Sequence, residues 1–174
     1  MSGTAVWITG LPGSGKSTVA NELKKAYPHF VVLRMDELRR IVTPEPTYSE
    51  AERDLVYRAL VFLAKKLTEL GHDVILDATG NIGVWRNLAR ELIPKYIEVY
   101  LRCSLRICRE REMERPDSFG APRDIYKKGA EGWPVPGAGA PYEEPVHPEL
   151  MIDTESISAV EAAKSIGKLL SELQ

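Results

Sequence analysis

The densest chemistry in the chain sits in one stretch, Gly10-Leu11-Pro12-Gly13-Ser14-Gly15-Lys16-Ser17. It fits the phosphate-loop pattern GxxxxGK[ST] and stands between a short apolar run, Ala5 to Thr9, and a helical pattern, the context that separates a working loop from a chance match. Glycines at this spacing let backbone N–H groups wrap phosphate oxygens, and the positive end of the following helix faces the anion. Gly10, Pro12, Gly13, Ser14, Gly15 and Thr18 are therefore expected to cradle a nucleotide, with Lys16 on its β- and γ-phosphates and the Ser17 hydroxyl on Mg²⁺. ATP with Mg²⁺ is the cofactor pair this implies.

Phosphoryl transfer needs charge neutralisation and alignment more than covalent chemistry, so carboxylates and cations near the γ-phosphate come next. In an open α/β sheet, ligands bind outside the carboxyl ends of the strands. Asp36 and Arg39 follow the second apolar run, Phe30 to Leu33. That places Asp36 near the metal or the attacking hydroxyl and Arg39 where it can bind an anionic substrate; Asp36 also reads as the N-cap of the next helix. Asp77, Thr79 and Asn81 follow the third run, Val74 to Leu76. Asp77 resembles the acid that ends a Walker B strand and holds Mg²⁺, and it reads equally as an anchor of the phosphate loop. Asp153 and Thr154 close the fifth run, where an adenine ring would rest. Arg109, Arg111, Arg115, Lys127 and Lys128 can each bring a cation over the γ-phosphate, and Arg111 is preferred among the arginines. Arginine on an exposed helix is more often a solvated ion-pair partner. Arg53 and Arg58 are further candidates for the substrate; they stand about 140° apart around one helix, so both cannot point squarely into one site. His29, His72 and His147 read as turn or surface residues.

The elements that must position these groups are short apolar runs at Ala5 to Thr9, Phe30 to Leu33, Val74 to Leu76, Ile97 to Leu101 and Leu150 to Ile152, separated by helical patterns. This order predicts an α/β P-loop NTPase fold, a five-stranded, mostly parallel sheet flanked by helices, in a single domain over 1–174. Leu55, Val56, Ala59, Leu60, Leu63, Leu67 and Leu70 recur at helical spacing, stop at Gly71, and are assigned to the core. Val84 to Leu92, Leu105 to Met113 and Ile157 to Leu173 read as further helices. Pro116 to Pro148 holds seven of the twelve prolines and five of the thirteen glycines, with almost no periodicity. A stretch that long is expected to be an active-site lid, bringing Phe119, Tyr126, Trp133 and Tyr142 over the nucleotide.

Composition narrows the partners. A net charge of −2 gives no basic footprint for long nucleic acid, and a small anionic substrate fits better. Cys103 and Cys108 lack metal-ligand or CxxC spacing, so reduced thiols are expected. No apolar run approaches the roughly 18 residues that would span a bilayer, which makes the cytoplasm the expected location and leaves no role for a membrane.

With those residues in hand, the chain resembles the adenylylsulfate (APS) kinases, which use MgATP to phosphorylate the ribose 3′-hydroxyl of adenosine 5′-phosphosulfate, a nucleotide of sulfate assimilation. The resemblance covers Gly10 to Ser17, Asp36-Glu37-Leu38-Arg39 for the family's Asp-Asn-Ile-Arg, and Tyr48-Ser49 with Glu52-Arg53 for Phe-Ser and Asp-Arg. Ile125-Tyr126-Lys127-Lys128 looks like Leu-Tyr-Lys-Lys, and Pro141-Tyr142-Glu143-Glu144-Pro145 precedes Pro148-Glu149-Leu150 and Ile152-Asp153-Thr154 as in that family. The resemblance implies that Asp36 assists Mg²⁺ and the 3′-hydroxyl, that Arg39 and Arg53 hold the phosphosulfate, that Lys128 acts from the lid, and that the chain forms a homodimer. Departures cluster on the acceptor side. Arg34 replaces an aspartate, Val56 an asparagine, Thr79-Gly80-Asn81 an Ile-Ser-Pro, Ala130 an arginine and Val135 the lid phenylalanine that sandwiches the base; Glu114 to Ala121 holds an insertion. Trp133 is positioned to replace the lost ring. Two other readings remain open: a P-loop kinase whose Arg34, Arg39 and Arg86 grip a different small anion, and a nucleotide-binding module without transfer.

Overall fold

The computed structural model describes residues 2–115 and 122–173; Phe119 and most of the insertion lie outside the described residues. The five strands are β1 (Ala5–Thr9), β2 (Val31–Arg34), β3 (Val74–Asp77), β4 (Tyr96–Arg102) and β5 (Leu150–Asp153). They form one sheet in the order β2-β3-β1-β4-β5, and every pairing is parallel. The helices are α1 (Lys16–Ala26), α2 (Met35–Val42), α3 (Glu50–Glu69), α4 (Gly83–Leu92), α5 (Leu105–Glu114), α6 (Ile125–Ala130) and α7 (Ala159–Glu172).

A strand buried on both faces must be apolar at every position, and β1 is: Ala5, Val6, Trp7, Ile8 and Thr9 are all buried. Its side chains alternate between two cores. Ala5 and Trp7 join Val56, Leu60, Ala64, Trp85 and Ala89 from α3 and α4, while Val6 and Ile8 join Val19, Leu23, Ala163 and Ile166 from α1 and α7. A smaller cluster of Cys103, Cys108, Tyr126 and Val135, with Leu11 and Leu105 against it, ties α5 and α6 to the phosphate loop. Both cysteines are free and buried.

Two expectations change. On α3, the inward face is Val56, Tyr57, Leu60, Val61, Ala64 and Thr68, whereas Leu55, Leu63 and Leu70 are exposed. Two apolar stripes at helical spacing overlap on this helix, and Trp7 and Trp85 select the one containing Tyr57 by stacking on it, with ring centroids 6.2 and 4.1 Å away. The Pro/Gly-rich stretch also contains a helix, α6, whose Tyr126 hydroxyl donates to Pro12 O at 2.6 Å.

Candidate active site

Because all strands run the same way, their carboxyl ends lie along one edge, and a cavity of about 420 Å³ opens there. One end is floored by the phosphate loop. Gly13 has φ +83°, and a Cβ on it would lie 2.4 Å from Cys108 O; Gly15, at φ +99°, starts α1. These left-handed turns suit glycine and keep the loop backbone uncovered. Pro12, Gly13, Gly15, Lys16, Ser17 and Thr18 line the cavity. Gly10 packs behind it, against Ser14 Oγ and Leu101 O, and Ser14 is fully buried. Lys16 Nζ donates to Gly10 O at 3.0 Å and Leu11 O at 2.9 Å, folded over its own loop. Desolvation lowers its pKa, opposed by Asp77 and Asp36.

The middle of the cavity is acidic. Asp36 stands in the first turn of α2, whose N-cap position belongs to Arg34, so Asp36 does not cap the helix and faces the cavity instead. Burial raises its pKa and Asp77 adds to the rise, with Lys16 and Arg39 opposing. Asp77 also lines the cavity, and Arg34 Nη1 holds one of its oxygens at 2.7 Å while Nη2 donates to Asn21 Oδ1 at 2.5 Å. Ser17, Asp36 and Asp77 offer hydroxyl and carboxylate oxygens, the hard donors that suit Mg²⁺, and the mutual repulsion of the two acids is what a divalent cation relieves. Among the described residues no group of three or more His, Cys, Asp or Glu is placed to hold a metal ion by itself.

The far end is built from α2, α3 and the segment after α6. Arg39, Tyr48, Arg53, Thr79, Asn81 and Trp133 all line it. Glu52 organises this end: its Oε1 accepts from Arg39 Nη1 at 2.8 Å, and its Oε2 from Thr47 N at 2.6 Å and Thr47 Oγ1 at 2.7 Å. That grip holds Tyr48 at φ +56°, a left-handed conformation that costs a non-glycine residue about 1–3 kcal/mol and recurs at ligand sites. The Tyr48 ring has the Arg39 guanidinium 5.0 Å from its centroid on one side and Trp133 5.6 Å away on another. Arg53 donates to Pro134 O, tying α3 to the segment that carries Trp133. Tyr57 OH accepts from Gly80 N at 2.8 Å, and Asn81 Nδ2 donates to Pro141 O at 3.0 Å, which fixes the loop carrying Thr79.

Several sequence-predicted residues lie elsewhere. Arg58 points to solvent and pairs with Asp54 one turn back at 2.7 Å, because α3 turns Arg53 inward. Asp153 pairs with Arg102 at the exposed sheet edge, and Thr154 is buried behind α5; neither lines the cavity. Arg111 reaches the cavity wall, but its guanidinium donates to Thr154 Oγ1 at 3.1 Å and Thr154 O at 2.6 Å. Lys128 does not line the cavity; its ammonium lies 5.1 Å from the Trp133 ring centroid. Arg86 is 3% exposed, paired with Glu98 at 2.7 Å and donating to Gly80 O and Glu143 O, so it braces the acceptor loop and grips no ligand. Tyr57 and Glu112 go unnamed in the sequence reading, and Glu52, quoted only within the resemblance, has no role of its own there. Ser49-x-x-Glu52 has the spacing of a capping box, a signal that could have drawn attention to Glu52, although its carboxylate reaches back past Ser49.

The comparisons agree with this geometry. Residues 2–153 match the adenylylsulphate kinase family. A probable adenylyl-sulfate kinase of Halalkalibacterium halodurans is 36% identical, covering 92% of this chain and 79% of that protein. One from Archaeoglobus fulgidus is 34% identical over 86% of this chain and 95% of its own. The Mycobacterium tuberculosis APS kinase solved with AMPPNP and APS superposes at a TM-score of 0.84 with 30% identity, covering 98% of both chains. Shikimate kinase from Acinetobacter baumannii, at 15% identity and a TM-score of 0.66, shares the fold alone. A phosphate loop and an acidic centre facing an arginine- and aromatic-lined pocket thus coincide with similarity along nearly the whole chain, which belongs to the adenylylsulphate kinase family.

Proposed function

We propose that this protein transfers the γ-phosphate of MgATP to the ribose 3′-hydroxyl of adenosine 5′-phosphosulfate. One observation carries the reading: a single cavity joins the phosphate loop, through Asp36, to a pocket whose walls are Arg39, Arg53, Tyr48 and Trp133. Guanidinium groups suit a doubly anionic phosphosulfate, and aromatic faces suit a purine. The neighbour solved with AMPPNP and APS supports the same pairing of ligands.

In this reading Lys16 leaves its loop carbonyls for the β- and γ-phosphates, and Ser17 and Asp36 hold Mg²⁺, with Asp77 supporting through its Arg34 pair. The ion supplies charge neutralisation on the transferred group. Asp36, its pKa raised by burial and by Asp77, accepts the hydroxyl proton. Arg39 and Arg53 hold the acceptor anion, Tyr48 and Trp133 its base, and Thr79 and Asn81 shape the wall beside it. Residues 122–148 act as the lid, hinged on the bond from Tyr126 to the phosphate loop, and exclude water. Among the described residues no helix is long and apolar enough to cross a membrane, and the use of ATP in this reading is what favours the cytoplasm as the place of work. A coupled ATP-to-ADP assay with Mg²⁺, with and without APS, tests the reading. APS-dependent turnover yielding a 3′-phosphate supports it, and ATP consumption indifferent to APS refutes it.

A further inference from the structure

We propose that Arg115 is a second cation, beside Lys16, that meets the γ-phosphate during transfer, delivered from its ion pair with Glu112. The inference rests on the ATP-dependent transfer proposed above. Other cations around the cavity are engaged: Arg111 with Thr154, Arg39 with Glu52, Arg53 with Pro134 O, and Lys128 with Trp133. Arg109 lies over the Tyr126 ring at 5.8 Å.

Arg115 lines the cavity and is held by Glu112 at 3.1 Å, with side chains 28% and 5% exposed. Its place follows from α5. A Cβ on Gly13 would lie 2.4 Å from Cys108 O and 3.0 Å from Glu112 Cγ, so the Cys108–Glu112 face of α5 rests directly on the phosphate loop. Arg115 comes three residues after Glu112, on the same face, one turn beyond that contact. Its charge offsets a small part of the rise that burial and Asp77 impose on the Asp36 carboxyl's pKa. Arg115 thus lines the same cavity as the loop that cradles the phosphates and the acid beside the acceptor. Glu112 is a weak keeper, since burial raises its own pKa, and a γ-phosphate presents more negative charge and more acceptor oxygens than one carboxylate.

The step balances. The acceptor oxygen bonds to phosphorus as the bond to the β,γ-bridging oxygen breaks; the electron pair stays on the departing ADP, and the hydroxyl proton passes to Asp36. Charge on the equatorial oxygens of the transferring group is what Arg115 stabilises.

The test uses the full chain with Mg²⁺. Calorimetry compares the affinities for a non-hydrolysable ATP analogue and for ADP in wild type, Arg115→Gln and Arg115→Lys, and steady-state kinetics with APS give kcat and KM. The glutamine variant is expected to lose about tenfold of its preference for the ATP analogue and about 10²-fold in kcat, with KM for APS within about threefold and partial recovery by lysine. Preference and kcat both within about threefold of wild type in Arg115→Gln overturn the inference. Absence of APS turnover in the wild type defeats the acceptor assignment by itself; the ATP-over-ADP preference then decides Arg115, a preserved preference overturning it and a tenfold loss upholding it.

Discussion

Replacing Glu52 with alanine strikes both ligand-facing groups at the acceptor end at once. Glu52 and Arg39 pair at 2.8 Å with side chains each 10% exposed. Removing one member of a dry pair costs about 3–5 kcal/mol, and the low end applies here because Arg39 borders a cavity that admits water. The freed amides of Thr47 and Tyr48 add about 0.5–1.5 kcal/mol together, since their exposed turn regains water. Relaxation of Tyr48 from φ +56° offsets about 1 kcal/mol. The expected loss is about 3 kcal/mol, which for a chain of this size lowers Tm by roughly 6–12 °C in calorimetry. KM for APS should rise about tenfold while KM for ATP stays within about twofold, because the phosphate loop lies at the other end. Burial pushes the Glu52 carboxyl up, but hydrogen bonds from Thr47 and Tyr48 and the charge of Arg39 outweigh it and hold its pKa below the ordinary value. Its stabilisation is therefore present above the unfolded pKa of about 4.3 and is lost as pH falls through the folded value, so the melting gap between wild type and Glu52→Gln should close in acid. A Glu52→Ala protein melting within about 2 °C of wild type, or moving both KM values together, refutes the reasoning.

Lys16→Ala should abolish turnover while leaving Tm nearly unchanged, because the lysine donates only to loop carbonyls in the free protein; kcat near wild type would remove it from the phosphates. Trp133→Ala should raise KM for APS by about 5- to 150-fold, the equivalent of 1–3 kcal/mol of base stacking, with KM for ATP unchanged; equal effects on both would place the base elsewhere. Asp36→Asn should remove the acid limb of the kcat profile measured at saturating Mg²⁺, along with about 10²-fold or more of the rate, because Asp36 is the group assigned the hydroxyl proton. A limb unchanged in Asp36→Asn would assign the proton to another group.

Much of this arrangement was legible in the sequence because it is local. Short apolar runs bounded by turns marked every strand, and the rule that ligands gather past strand ends brought Asp36, Arg39, Asp77, Thr79 and Asn81 to one cavity. What stayed hidden depends on partners far away in the chain. Arg111 and Lys128 have long side chains whose direction is set by Thr154 and Trp133, and no spacing within α5 or α6 announces those contacts. Arg58 and Arg53 differ only in which way α3 rolls, and the roll is fixed by Tyr57 stacking between Trp7 and Trp85. Leu55 and Leu63 matched the helical period as well as Tyr57 and Val61 did, so periodicity placed Val56, Leu60 and Leu67 correctly but could not fix the edge of the buried stripe. Helix α6 was masked by the prolines and glycines around it.

The central place of β1 also sets the order in which the site can come into being. Ala5 pairs with Val74 on one side and Tyr96 on the other, partners roughly seventy and ninety residues later. As the chain leaves the ribosome, the loop from Gly10 to Ser17 emerges early, but the strand that aims it stays unpaired until β3 and β4 have followed. Such long-range parallel pairing closes large loops before it gains contacts, which makes it slow. Nascent chains shorter than about the end of β4 should therefore be unable to capture ATP, and nucleotide, which binds only once the sheet has closed around β1, should slow unfolding without speeding refolding.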